Sequence, residues 1–131
     1  MKSSDVVFVA VKPQYVSLVL REVAPLLEDR HVIVSIAAGI TLQTLKNAAG
    51  ENARLVRVMP NTPCLVGETA AAMCLGGRAD DGDAATVQRL FEAVGRIYRW
   101  VGLLGGCCCV AVVGQQPYVA AGVRLGQQAV M

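Results

Sequence analysis

RLVRVMPNTPCLVGE, residues 54–68, decides how the rest of the chain is read. A short apolar run, Leu55 to Met59, stops at Pro60. Two polar residues, Asn61 and Thr62, follow, and then a second proline, Pro63, opens a new apolar segment. A short apolar run bounded by such punctuation reads as a buried strand. Each proline locks its own φ, so the loop after the strand is held in one shape. A plain turn needs less rigidity. Rigid loops beyond the carboxyl ends of strands are where open α/β sheets place ligands.

The flanking sequence supports such a sheet. DVVFVAV, residues 5–11, is apolar and β-branched, the pattern of a fully buried strand. Pro13 can open a helix whose buried side is Val16, Val19, Leu20, Val23 and Leu27, with Pro25 restarting it near its end. HVIVSIAAG, residues 31–39, reads as a second buried strand ending in small residues. Thr41 can cap a short helix with Leu42, Leu45 and Ala49 inward and Gly50 as its stop. Residues 68–77 form a weaker strand. The acidic segment from Asp80 begins a helix buried through Ala84, Val87, Leu90, Phe91 and Val94 and ended by Gly95; RIYRW is a last strand. Strands alternating with helices predict a parallel sheet with right-handed crossovers.

Composition narrows the function classes. The chain has 131 residues, room for one domain with a core. It is 54% hydrophobic but only 5% aromatic, the balance of α/β proteins whose central strands are buried on both faces. The net charge of +2 is scattered, so no nucleic-acid surface is expected. Five cysteines and no secretion signal point to a reducing, cytoplasmic setting. Beyond Trp100 the pattern changes to an uncharged apolar stretch interrupted by Gln115, Gln116 and Pro117, read as an irregular tail and not as a membrane span. Cys107, Cys108 and Cys109 form a poor metal site, because adjacent side chains of a strand point to opposite faces; no metal is expected.

Three strand ends carry the distinctive residues: Ala10 to Pro13, Ile36 to Gly39, and Met59 to Pro63. If the strands are neighbours, these loops converge on one crevice, where small residues would let a flat ring approach the backbone. Each feature also has a plain structural reading. Lys12 can be a solvated lysine at a helix start, Ala37 to Gly39 a tight turn, and Asn61 the closure of an Asx-turn. His31, the one histidine, reads as a surface residue ahead of a strand. No Ser–His–Asp or paired-carboxylate arrangement stands out, and no catalytic residue is assigned.

SSDVVFVAVKP, HVIVSIAAGIT and RVMPNTP followed by VGE, in that order and spacing, resemble the pyrroline-5-carboxylate reductases, over residues 3 to about 99. The resemblance implies an oxidoreductase of proline biosynthesis. It would pass hydride from NADPH or NADH to the C=N carbon of 1-pyrroline-5-carboxylate to give L-proline. By the family pattern, Ala10, Val11, Lys12 and Pro13 line the cofactor, as do Ile36, Ala37 and Ala38, with Met59, Pro60 and Asn61 near the nicotinamide end. It also implies a homo-oligomer built through a further helical domain.

The resulting expectation is an α/β protein. Residues 1–100 form a partial NAD(P)-binding, Rossmann-like parallel sheet flanked by helices and lacking the first βαβ unit. Residues 101–131 form a divergent apolar tail in place of the start of the dimerisation domain. On this reading the chain is a fragment truncated at both ends, with weak or no NADPH binding and no measurable proline formation by itself. Two alternatives remain: a non-catalytic truncated fragment or partner-binding module, and a piece of another 6-phosphogluconate-dehydrogenase-like reductase.

Overall fold

The computed structural model describes residues 4–99. The tail after Arg99, with Cys107 to Cys109 and the expected second domain, lies outside the described residues.

The apolar runs become strands: β1 (Val6–Val9), β2 (Val32–Ser35), β3 (Arg54–Met59), β4 (Thr69–Gly77) and β5 (Gly95–Arg99). Helix α1 (Pro13–Val23) starts on its proline and continues into a 3-10 turn, Ala24–Leu26, around Pro25. Helix α2 (Leu42–Ala49) is capped as its sequence implies: Thr41 Oγ1 accepts the Thr44 amide at 3.1 Å, and Gly50, at φ +102°, ends it. Helix α3 (Asp81–Phe91) opens on a capping box in which Asp80 and Asp83 each accept the other's backbone amide.

The five strands lie side by side in chain order. β1, β2 and β3 are parallel, and β4 and β5 are parallel to each other. Between the two groups, β4 runs antiparallel to β3, from Met59 opposite Ala72 to Arg54 opposite Gly77. The sheet is therefore mixed, and the all-parallel expectation fails at this one junction. The physical reason is connection length. Residues 60–68 hold only a 3-10 turn, Thr62–Val66, whereas a parallel return needs a crossover of a dozen residues or more. β4, read from sequence as a weak strand, is the longest at nine residues because it pairs along both edges.

The reversal also sets the helix positions. Right-handed crossovers put α1 and α2 on one face of the sheet. Continuing in the same lateral direction with inverted strands puts α3 on the other. Two cores result. Val16, Leu20, Ile33, Leu45 and Leu55 fill the α1/α2 side. Val34, Val56, Val58, Met73, Val87 and Phe91 fill the α3 side. Leu20, Leu45 and Leu55 are fully buried, each contributing roughly 1.5–3 kcal/mol of transfer free energy.

Two smaller expectations are corrected. Gly95 does not end α3, which stops at Phe91; it opens β5 at φ +144°, where a Cβ would stand 2.4 Å from the Thr69 backbone. His31 is not on the surface. It is buried, and its Nδ1 accepts the Glu28 amide at 2.8 Å, closing the turn before β2.

Candidate functional site

Because β1, β2 and β3 are parallel neighbours, their carboxyl ends share one rim. Ala10 to Pro13, Ile36 to Ala38 and Met59 to Asn61 therefore stand side by side. At the usual strand spacing the three tips span about 10 Å, the width of a bound ring system. Helices α1 and α2 return antiparallel to the strands, so their amino ends open on the same rim. Exposed Lys12 stands at the start of α1 as an N-cap that makes no side-chain capping bond, and Pro13 follows at the first helical position. A lysine beside the positive end of a helix favours an anionic neighbour.

The floor and edges of the crevice differ. Ala37 and Met59 are buried. Ala10, Val11, Lys12, Pro13 and Ala38 are exposed, and Ile36, Pro60 and Asn61 are half-buried. Gly39 turns the chain at φ +74° with open space where a side chain would be. The crevice is thus smooth and apolar, with a cation at one side.

Asn61 supplies its polar end, and its partners were not foreseen. Its Oδ1 accepts the Thr69 hydroxyl at 2.7 Å and the Ala70 amide at 3.1 Å, and its own amide donates to Thr69 Oγ1 at 3.4 Å. This is no Asx-turn, whose bond would reach two residues along; it ties the loop to the incoming end of β4. The carboxamide oxygen is consumed, which leaves the Nδ2 amide as the group the side chain offers. Thr69, buried and packed against Gly95, is the residue that holds Asn61 in place, and it was not among those the sequence pointed to. Its partnership depends on the reversal of β4, and no local pattern signals that. Thr62, the other residue between the prolines, is exposed in the 3-10 turn.

The opposite rim is chemically different. A cavity of about 220 Å³ lies there between the Leu27–His31 turn and residues 50–54. Its surroundings are tied up in ion pairs: Arg54 with Asp83, Arg78 with Asp29, and Arg30 with Glu28 and Asp5. The hydrogen bonds that Arg54 donates to Asp83 raise it above the ordinary arginine value, and the hydrogen bond that Arg30 donates to Glu28 lowers the Glu28 carboxyl. These groups hold one another and lie away from the three tips. No group of three metal-ligating side chains occurs among the described residues, and no helix among them is long and apolar enough to cross a membrane.

Comparison with known proteins points the same way. Residues 1–39 match a family model described as NADP oxidoreductase coenzyme F420-dependent. Pyrroline-5-carboxylate reductase of Glycine max is 44% identical over 99 residues, which are 76% of this chain and 36% of that protein. The chain therefore spans about a third of the length of such curated relatives. Among solved structures, Plasmodium falciparum pyrroline carboxylate reductase with NADP bound is similar at a TM-score of 0.69 and 33% identity, over 74% of this chain and 37% of that one. A pyrroline-5-carboxylate reductase from Coxiella burnetii is similar at a TM-score of 0.75 and 25% identity, over 98% of this chain and 48% of that one.

Proposed function

We propose that this chain, a homologue of the pyrroline-5-carboxylate reductases, supplies the nicotinamide-side crevice of an NAD(P)H-dependent reduction of 1-pyrroline-5-carboxylate to L-proline. One observation carries the reading: the three tips that resemble the family's cofactor-lining segments stand side by side on one rim. The crevice fits a nicotinamide cofactor. Ala37, Ala38 and Gly39 leave room for a flat ring, and Lys12 with the amino end of α1 suits a phosphate. Asn61, fixed by Thr69, presents an amide donor suited to a carboxamide oxygen.

When bound, the cofactor supplies the hydride, and a protonated imine is already electrophilic. The protein therefore contributes position, not an acid or base. Ile36 to Ala38 and Met59 to Asn61 would orient the ring, and the apolar walls would keep water from its reactive face. On the same reading, Ala10, Val11, Lys12 and Pro13 flank the pyrophosphate side. A cytoplasmic location and a homo-oligomeric assembly complete the proposal. The free thiol of Cys64 supports the first, and family likeness supports the second.

A graft tests it. Residues 4–99 replace the matching segment of the Glycine max relative, and proline formation with NADPH and with NADH is followed. Turnover that drops at least tenfold in the Asn61→Leu version of the graft is the expected result. A folded graft that binds neither nucleotide overturns the assignment.

A further inference from the structure

Among the described residues, Arg57 is the one buried arginine or lysine. It sits in the middle of the sheet at 5% exposure, and its Nε is buried without a hydrogen-bond partner. One terminal nitrogen rests 3.7 Å from Met59 Sδ, a weak contact that places the guanidinium level with the carboxyl end of β3. Arg30, Arg54, Arg78 and Arg99 each hold a carboxylate; among the described residues Arg57 holds none.

Its surroundings connect it to the crevice. Arg57 is in register with Ser35 on β2 and Cys74 on β4. Ser35 Oγ accepts the Ala37 amide at 3.4 Å. The cation thus lies against Met59, a buried residue of the crevice floor, on the strand next to the one that leads into Ala37. A buried charge without a counter-charge is costly, and a buried donor without an acceptor adds to that cost. An apolar side chain of the same volume would serve the core better.

We propose that Arg57 is the base of an oxyanion subsite under the crevice, its planar fork completed by a carboxylate or phosphate oxygen of a bound ligand. The subsite stands on the geometry of this one charge and not on the reductase reading, so a chain that fails to bind NADPH can still show it.

The test is thermal unfolding of the full chain at constant ionic strength, with inorganic phosphate or acetate replacing chloride, or with zwitterionic L-proline added. A saturable rise in melting temperature is expected. A response to phosphate assigns the subsite to a phosphoryl group, and a response to acetate and L-proline assigns it to a carboxylate. Arg57→Met should melt at or above the wild-type temperature without added anion and lose the response. Arg57→Lys keeps the charge but not the fork, and should need about tenfold more anion. Indifference of the wild-type chain to all three solutes overturns the proposal. So does an Arg57→Met chain that melts several degrees lower or still responds, or an Arg57→Lys chain that responds like wild type.

Discussion

Asn61 and Thr69 show how much a single hydrogen-bonded pair can fix. Replacing Thr69 by valine removes the hydroxyl that joins Asn61 Oδ1 and the Asn61 amide. Stability should fall by roughly 1–2 kcal/mol, read by urea unfolding, with Thr69→Ser restoring most of it. In the graft, the same change should raise the KM for NADPH, because the Asn61 amide would no longer be aimed. Gly95 is the neighbouring constraint. A Cβ there would meet the Thr69 backbone at 2.4 Å, and φ is +144°. Gly95→Ala should cost roughly 2 kcal/mol or more, visible as a lowered melting temperature. Some of this scale was legible in sequence and some was not. Thr41 announces its cap, since capping is decided within four residues. The burial of His31 and Arg57 gave no such sign, because a polar residue beside or within an apolar run says nothing of what packs over it.

The elements were easier to find than their directions. The apolar runs located each strand of the described residues, yet β4 was expected to run with β3 and runs against it. Periodicity records which residues turn inward, and that pattern is the same for either direction; only the short connection decides. Asp83 links elements across this arrangement. It closes the capping box of α3 and pairs with Arg54 at the start of β3, its side chain 3% exposed. Asp83→Ala should cost about 3 kcal/mol, at the low end for a buried pair because the Arg54 side chain remains 28% exposed. Ligand affinity at the other rim should not change. Glu28 gives a pH signature at the same rim. Its folded pKa lies below the ordinary 4.5, so its contribution is full above that value and is lost as pH falls through the folded pKa. Glu28→Gln should flatten that acid limb slightly, the pair being exposed.

At the scale of the molecule, the sheet has one inner boundary and two outer ones. β1 forms an edge among the described residues, with its own Phe8 46% exposed and Tyr15 and Leu18 also open to solvent. An apolar edge strand invites pairing with another chain. The chain should self-associate in size-exclusion chromatography as concentration rises. Phe8→Lys should reduce this, losing about 1 kcal/mol from the Phe8–Phe91 ring contact, whose centroids are 6.2 Å apart. The U-turn between Met59 and Thr69 has one more use, for the experimenter. It carries the end of β4 to the far rim, where Arg78 projects its side chain into water with only a loose partner in Asp29. A cysteine introduced at Arg78, in a chain whose five native cysteines are replaced by serine, could anchor the protein to a sensor surface through a maleimide linker. Every immobilised copy would then face the same way, its lysine-flanked groove toward the flowing sample.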